Sequence, residues 1–143
     1  MRIAIACDHA GFEYKERLVK HLLELGHDVQ DFGTHSVASM DYPDTVHPMA
    51  FAVEAGKFER GIVVCGSGNG VAITANKHQG IRCALCWQPE IASLARQHND
   101  ANVCSIPARF IAYEQAEYIV DIFLSTSFEG GRHALRVEKI AIA

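Results

Sequence analysis

The apolar residues of this chain alternate between short continuous runs and segments with helical spacing. Five short strands are predicted from the runs, at Arg2–Cys7, His27–Asp31, Gly61–Cys65, Ile81–Cys86 and Asn102–Ser105. Helices are predicted between and after them, at Phe12–Leu25, Tyr42–Gly56, Gly70–Lys77, Pro89–Gln97, Ile111–Leu124 and Arg132–Ala141. Gly26 is typical of a helix C-cap, and Pro89 of a first helical turn.

The order of these elements predicts the fold class. Strands that are apolar on both faces and separated by helices form a parallel sheet with helices on both sides. With right-handed crossovers, the expected architecture is a Rossmann-like α/β fold, a three-layer sandwich around a five-stranded parallel sheet. A chain of 143 residues fits a single domain over positions 1–143. Ligands of such sheets bind beyond the carboxyl ends of the strands.

Composition and charge narrow the classes of partner. The 49% hydrophobic content argues against disorder, and the net charge of −4 gives no support for a nucleic-acid partner. No apolar run approaches the roughly 18 residues of a membrane span. The apolar start of the chain is interrupted by Asp8 and His9, which favours a first strand over a signal peptide. We therefore expect a cytoplasmic protein without a membrane partner.

The five cysteines do not indicate a disulfide framework, because their number is odd and they are spread along the chain. Cys83 and Cys86 match the C-x-x-C spacing of redox and zinc sites. No second pair completes a four-cysteine site, and residues three apart in a strand point to opposite faces. Small buried hydrophobic side chains are therefore the favoured interpretation, with a redox module as the alternative.

The segment with the clearest chemistry joins the third strand to the following helix. Cys65 ends the strand, and Gly66, Gly68 and Gly70 form a glycine-rich turn after it. Backbone amides in such a turn bind anionic oxygen and favour a thiolate, a pairing suited to carbonyl chemistry. A tight connection that needs glycine for its backbone angles explains the glycines equally well. Val71 breaks the G-x-G-x-x-G pattern, and no Gly-Lys-Ser/Thr follows, so nucleotide binding is disfavoured.

Other polar groups are expected at the same edge of the sheet, each with a structural and a functional interpretation. Asp8 follows the first strand, where it either caps a helix or contacts a hydroxyl group. His98 stands before the fifth strand, in a solvated turn or in position to move protons. Arg132 and Arg136 share one face of the last helix, as a solvated basic face or as a phosphate clamp. We expect the carboxyl edge to carry Asp8–His9, Cys65 to Gly70, His98–Asn99 and Arg109.

Five motifs, in order from the first strand to the last helix, carry a family resemblance. They are Cys7-Asp8-His9-Ala10-Gly11-Phe12, Asp41-Tyr42-Pro43, Cys65-Gly-Ser-Gly-Asn-Gly70, Arg96-Gln-His98-Asn99-Asp100-Ala-Asn102 and Glu129-Gly-Gly-Arg132-His-x-x-Arg136-Val. Together they resemble the type B ribose-5-phosphate isomerase family, to which galactose-6-phosphate isomerase subunits are related. The resemblance covers the whole chain without a large insertion.

The resemblance implies an aldose–ketose isomerase of the pentose phosphate pathway, which interconverts D-ribose 5-phosphate and D-ribulose 5-phosphate through a cis-enediolate. It implies Cys65 as the base, since the other branch of the family uses a later glutamate where this chain has Ile73 and Thr74. It implies His98 as the group that opens the furanose ring. The implied substrate-binding residues are Gly66, Ser67, Gly68, Asn69 and Gly70 for the enediolate, Asp8 and Asn99 for hydroxyls, and His9, Arg109, Arg132 and Arg136 for the phosphate.

The resemblance also implies assembly as a homodimer or a homotetramer, with the site at the subunit boundary and some arginines from the neighbouring chain. The implied scheme requires no cofactor and no metal. Ser67 and Ala101 stand where the family frequently has threonine. Two alternatives remain open: an isomerase of allose or galactose 6-phosphate, and a non-catalytic module that binds a sugar phosphate.

Overall fold

Five parallel strands form one sheet in the computed structural model, which describes residues 1–142. The strands are β1 (Arg2–Cys7), β2 (Asp28–Asp31), β3 (Arg60–Cys65), β4 (Cys83–Leu85) and β5 (Val103–Pro107). Their order in the sheet is β2-β1-β3-β5-β4, and all four pairings are parallel. The predicted five-stranded parallel sheet is therefore confirmed.

Six α-helices connect or follow these strands, as predicted. They are α1 (Phe12–Glu24), α2 (Pro43–Glu54), α3 (Asn69–Ala75), α4 (Pro89–Asn99), α5 (Tyr113–Ser125) and α6 (Arg132–Glu138). A single 3₁₀ turn at His9–Gly11 precedes α1. The predicted bounds are displaced by a few residues, most at the last helix, which ends at Glu138 instead of Ala141. No helix within residues 1–142 is long and apolar enough to cross a bilayer.

The helices cover the sheet on two sides, which gives two separate hydrophobic cores. On one side, α1, α4 and α5 contribute buried residues such as Leu22, Ala95 and Phe123. On the other side, α2 and α3 contribute residues such as Met49 and Val71. This three-layer arrangement confirms the Rossmann-like α/β class.

Burial of the strands is uneven, and it corrects the expectation that all strands are apolar on both faces. The central strands β1, β3 and β5 are almost entirely buried. Residues of β2 and β4 are half-buried or exposed, because each of these strands lies at an edge of the sheet with one neighbour.

The strand order places a crevice at the carboxyl ends of β1 and β3. The chain leaves β1 toward β2 on one side and returns to β3 on the other, so the connections diverge at this point. Cys7 pairs with Val64 in the register, which brings the residues after both strands side by side. Gly11 lies so close to the carbonyl of Val64 that a Cβ at that position would overlap it.

Candidate active site

An open cleft of about 440 Å³ occupies this crevice. Its lining includes Asp8, His9, Cys65, Gly66, Ser67 and Arg109. These six residues and Gly70, all of them expected site residues, come together in the cleft from the ends of three strands.

The sulfur of Cys65 lies at the base of the glycine turn. Cys65 is the last residue of β3 and is only 5% exposed. The backbone N–H of Gly68 donates a hydrogen bond to its Sγ at 3.1 Å. A backbone donor therefore orients the sulfur at the base of the turn.

The other cysteines lie in different surroundings. Burial raises the pKa of the Cys7 thiol to about 12, and burial also raises the pKa of Cys83. A hydrogen bond with Cys86, together with burial, raises the pKa of Cys104. Cys83 belongs to one core and Cys86 to the other, so the C-x-x-C pair is divided between opposite faces of the sheet. These thiols act as small apolar side chains.

The turn that carries the Gly68 amide is held by a buried hydroxyl. Gly68 adopts a left-handed conformation, with φ of 75°, directly before α3. The hydroxyl of Ser105 in β5 donates to its carbonyl oxygen at 2.7 Å. A side chain at position 68 would collide with Leu85 and approach Ser105. Glycine is needed here for both its backbone angle and its size, and the turn is rigid as a result.

Asp8 and His9 line the cleft from the end of β1. One carboxylate oxygen of Asp8 accepts the N–H groups of Ala10 and Gly11 at 2.9 and 3.1 Å, which caps the 3₁₀ turn. The Nδ1 atom of His9 accepts the N–H of Met40 at 3.3 Å. In the neutral ring this places the proton on Nε2, which is then a donor suited to an anionic oxygen.

Tyr42 forms a wall of the cleft, although it has no role in the scheme that the family resemblance implies. A Cβ at Gly70 would lie 2.7–3.0 Å from the Tyr42 ring, so the ring rests directly on the glycine turn. Beyond Tyr42 the cleft continues into a shallow space of about 580 Å³, which Met40 and Asp44 help to line. In the sequence, the Asp41-Tyr42-Pro43 motif was the feature from which Tyr42 could have been identified as a cleft residue.

A buried lysine supports the segment that leads to Tyr42. The Nζ of Lys15, which has no exposed surface, bonds Asp31 at 2.6 Å and Glu16 at 2.7 Å. Burial alone would lower the pKa of Lys15, but these two carboxylates outweigh burial and raise it. Asp31 in turn accepts the N–H of Gly33 at 2.8 Å, so the ion pair holds the start of the β2–α2 connection.

Arg109 is the cationic side chain of the cleft. Its N–H donates to the carbonyl of Gly66 at 3.0 Å, which ties the end of β5 to the glycine turn. Its side chain runs over Gly66, where an added Cβ would lie 3.1 Å from Arg109 Cδ. The guanidinium is exposed and can meet an anionic ligand in the cleft.

His98 and Asn99 do not lie at the carboxyl edge, and that expectation was wrong. Helix α4 runs back across the sheet against the strand direction and ends at Asn99, before the start of β5. Val103, the first residue of β5, pairs with Gly61 at the opposite end of β3 from Cys65. Asn99 instead lines a separate cavity of about 350 Å³ at the amino edge.

Arg132 and Arg136 are also remote from the cleft. Both are exposed on α6, which packs against the end of α4 near His98. The N–H of Glu129 donates to the carbonyl of Gln97 at 3.1 Å and fixes the segment before α6 onto α4. The expected site residues of one chain therefore fall into two groups, the first at the carboxyl ends of the strands and the second around α4 and α6.

His98 is stacked on a second histidine that the sequence did not single out. The rings of His98 and His133 lie 4.2 Å apart at an angle of 12°. Glu129 lies beside both, 4.0 Å from Nε2 of His98 and 3.7 Å from Nε2 of His133. Desolvation, followed by repulsion from His98 and Arg132, lowers the pKa of His133. In the sequence, the four-residue spacing of Glu129 and His133 was the feature from which their contact could have been predicted.

Arg96 has a structural role and belongs to neither group of expected site residues. It is 3% exposed and donates to Asp100 at 2.9 Å and to the carbonyls of Ala101 and Thr126 at 2.6 and 3.1 Å. These bonds from Nε and Nη1 anchor the end of α4. His98, for which a solvated turn was one interpretation, thus lies in the last turn of α4.

Solved structures of similar chains share this architecture. A ribose 5-phosphate isomerase from Thermotoga maritima has a TM-score of 0.96 and 48% sequence identity, covering 98% of this chain and 97% of that one. A ribose-5-phosphate isomerase B from Mycoplasma genitalium with bound ribulose-5-phosphate has a TM-score of 0.94 and 40% identity, covering 97% and 93%.

Sequence comparison agrees with the structural likeness. Ribose-5-phosphate isomerase B of Escherichia coli (strain K12) is 47% identical over 139 residues, or 97% of this chain and 93% of that protein. A family model described as Ribose/Galactose Isomerase matches residues 3–140. The expected family, and with it the expected enzyme class of isomerase, is confirmed: the chain belongs to the ribose/galactose isomerase family.

Proposed function

We propose that this chain interconverts D-ribose 5-phosphate and D-ribulose 5-phosphate by proton transfer through a cis-enediolate. The observation that carries the proposal is the Cys65 sulfur, which accepts the Gly68 N–H at 3.1 Å in a cleft that also holds Arg109. The names of the similar proteins support this substrate. The match over residues 3–140 supports a single isomerase domain.

The carbon chemistry follows from the groups around Cys65. The thiolate takes the proton from C2 of the open-chain aldose, and the electron pair of that bond moves toward the C1 carbonyl to give the enediolate. The hydroxyl proton then passes from O2 to O1, the same thiol returns its proton to C1, and the C1–C2 double bond is replaced by the C2 carbonyl of the ketose. A positioned base typically contributes about 10²–10⁴-fold to the rate. The amides of the turn from Gly66 to Gly70, with Ser67 and Asn69, stabilise the enediolate oxygen by about 3–4 kcal/mol per effective donor.

The remaining roles require a second copy of the chain. His98 opens the ring, Asn99 with Asp8 holds hydroxyls, and Arg132 and Arg136 bind the phosphate. All of these groups except Asp8 lie around α4 and α6, whereas Asp8 lies in the cleft. We therefore place the complete site at the boundary of a homodimer, with α4 and α6 of one copy against the cleft of the other. His9 and Arg109 complete the phosphate contacts from the cleft side.

A hexose 6-phosphate is a second candidate substrate. The cleft is open beyond Tyr42 into the additional space of about 580 Å³, which leaves room for one more carbon. Activity on allose or galactose 6-phosphate, with none on ribose 5-phosphate, would favour this candidate.

The test is an isomerase assay on ribose 5-phosphate in the presence of a chelator, with wild type, Cys65→Ala and Cys83→Ala. We expect turnover in the wild type, a loss of about 10²–10⁴-fold in Cys65→Ala, and near wild-type activity in Cys83→Ala, whose thiol lies outside the cleft. Similar kcat values for wild type and Cys65→Ala would remove Cys65 as the base. Binding without turnover in the wild type, on every sugar phosphate tried, would favour a binding module.

A further inference from the structure

His98, Glu129 and His133 form a cluster of potential metal ligands, which we name the imidazole cluster. One ligand atom from each of the three residues lies within 4.8 Å of the others. Two imidazoles and one carboxylate are a ligand set typical of zinc sites in proteins.

The distances in the imidazole cluster are close to those that a zinc ion requires. With bonds of about 2.0–2.1 Å and tetrahedral angles, two ligand atoms stand about 3.4 Å apart. The Nε2 atoms of His133 and His98 lie 3.7 and 4.0 Å from the same oxygen of Glu129. Shortening from 3.7 and 4.0 Å to about 3.4 Å, or by about 0.3 and 0.6 Å, would give each nitrogen the spacing from the carboxylate oxygen that a zinc site has.

The fold positions the ring of His133 and the backbone of Glu129, whose carboxylate is half-exposed. His133 is 8% exposed within α6, and the backbone of Glu129 is anchored to Gln97 at 3.1 Å. His98 must also adjust, because the two rings are stacked at an angle of 12° and their nitrogen lone pairs lie in nearly parallel planes. The side chain of His98 is 38% exposed, so its ring has room to turn toward the ion.

A second cluster in the chain has a different geometry and provides a control. His21 lies between α5 carboxylates, with Nε2 2.7 Å from Asp121 and Nδ1 3.6 Å from Glu117. Each ring nitrogen is thus directed at its own carboxylate, which is the arrangement of an ion pair. One ion cannot use both nitrogens of a single ring.

We propose that the imidazole cluster binds Zn²⁺ reversibly and that the bound ion inhibits the enzyme by occupying the ring-opening imidazole of His98. The inhibition rests on the function proposed above, whereas the binding does not. Arg132 and Arg136 lie on the same helix as His133, and their positive charge keeps the site weaker than a structural zinc site.

The reaction chemistry makes the inhibition depend on direction. Ribose 5-phosphate is mostly a closed furanose and must be opened before Cys65 can act. Ribulose 5-phosphate has its C5 oxygen esterified, so it cannot close to a furanose and enters as an open chain. Zinc at His98 is therefore expected to slow initial rates from ribose 5-phosphate and to spare those from ribulose 5-phosphate.

Binding is tested by calorimetric titration of the full chain with Zn²⁺, using Glu129→Gln, His133→Gln and the control Glu117→Gln. Even changes beside a metal ligand cost about 10–100-fold in affinity, so loss of a ligand should weaken binding at least about tenfold. The control should bind as wild type does. Equal affinity in Glu129→Gln, His133→Gln and wild type, or no binding to the wild type, would overturn the proposal.

A spectroscopic readout distinguishes zinc at the imidazole cluster from zinc at the Cys65 thiol. A kinetic readout distinguishes a block at ring opening from a block at a later step. Co²⁺ in place of Zn²⁺ should give a spectrum without a sulfur charge-transfer band, and loss of binding in Cys65→Ala would instead assign the ion to the thiol. Equal inhibition of initial rates in both directions would contradict a block at ring opening. A chain without isomerase activity would still give the binding result, so failure of the proposed function is recognised separately.

Discussion

Cys65 lies at the carboxyl ends of the strands, and His98 lies near the amino end of β5, at the opposite end of the same sheet. Cys65 pairs with Pro107 at the carboxyl end of β5, and Val103 begins that strand four residues earlier. At about 3.3 Å per residue these positions are about 13 Å apart along the strand, and His98 lies in the helix before Val103. A single copy cannot bring its own thiol and its own imidazole to one sugar, which is the physical basis of the proposed dimer site.

Subunit mixing tests this arrangement directly. Cys65→Ala and His98→Gln homodimers should each have low activity on ribose 5-phosphate, since every site lacks one group. In a mixed dimer, one of the two sites receives Cys65 from one copy and His98 from the other. Random reassortment makes half of the dimers mixed, so the mixture should recover about a quarter of wild-type activity.

Recovery should follow the formation of mixed dimers, which two different affinity tags can verify. Mixed dimers that form but stay as inactive as the parents would contradict a site shared between copies. A mass corresponding to a monomer in light scattering, combined with full wild-type activity, would contradict it as well.

Gly68→Ala tests the rigidity of the turn at Cys65, and Gly56→Ala is its matched control. Both glycines have nearly the same backbone angle, with φ of 75° and 76°. A Cβ at Gly56 meets nothing within 4 Å, whereas one at Gly68 collides with Leu85 and lies 3.1 Å from Ser105 Oγ. Both variants should lose about 1–2 kcal/mol of stability from the left-handed conformation.

Only Gly68→Ala should also lose activity, because its Cβ displaces the amide that donates to Cys65. Urea denaturation and steady-state kinetics on the same preparations separate the two effects. An equal loss of stability in the two variants, with kcat unchanged in both, would show that the Gly68 amide has no role in turnover.

Local features of this chain were predictable from sequence because their causes are local. The apolar runs around Ile5 and Val63 specify buried strands, and the glycines after Cys65 specify a turn. Element bounds were less accurate, since helix ends depend on capping contacts. Asp100, for example, ends α4 in a left-handed conformation and accepts hydrogen bonds from Arg82 and Arg96. The periodic pattern of apolar residues does not reveal these contacts.

Features that depend on contacts distant in sequence were not predictable. The edge at which His98 lies follows from the direction of α4 across the sheet, which the order of motifs along the chain does not reveal. The stacking of His98 on His133 joins residues of α4 and α6 and requires the packed fold. Tyr42 reaches Gly70 through the β2–α2 connection, where no periodic pattern exists.

The contact between Gly70 and Tyr42 predicts energetic coupling in the cleft. Gly70→Ala should push the Tyr42 ring outward and lower kcat/KM, because the added Cβ would lie 2.7–3.0 Å from that ring. In a protein that already carries Tyr42→Ala the ring is absent, so Gly70→Ala causes no collision there. The two changes should therefore deviate from additivity by about 0.5 kcal/mol or more in kcat/KM.

The matched control for Gly70→Ala is Gly80→Ala. At Gly80 an added Cβ would lie 2.9 Å from the flexible Glu54 side chain, a similar collision far from the cleft. This control should change stability and leave kcat/KM within experimental error. Additive effects of Gly70→Ala and Tyr42→Ala would mean that the ring does not rest on the turn in solution.

Cys7 predicts how stability depends on alkaline pH. The buried thiol is protonated in the folded state up to a pKa of about 12, whereas in the unfolded chain it ionises near 9.0. The contribution of the Cys7 thiol to the free energy of unfolding is fully present below about pH 9. It is lost as the pH rises from 9 toward 12, because in that range the unfolded chain releases the thiol proton and the folded chain keeps it. At about pH 10 the loss is about 1.4 kcal/mol.

Urea denaturation of wild type and Cys7→Ala at about pH 8 and pH 10 measures this contribution. Cys7→Ala should be less stable at the lower pH, because it leaves a small cavity beside Thr34, to whose carbonyl the thiol donates. Its further loss of stability at the higher pH should be about 1.4 kcal/mol smaller than that of wild type. Cys83 and Cys104, whose pKa values are also raised, are present in both proteins and cancel in the comparison. The same alkaline loss in both proteins would mean that Cys7 does not hold its proton more tightly in the fold.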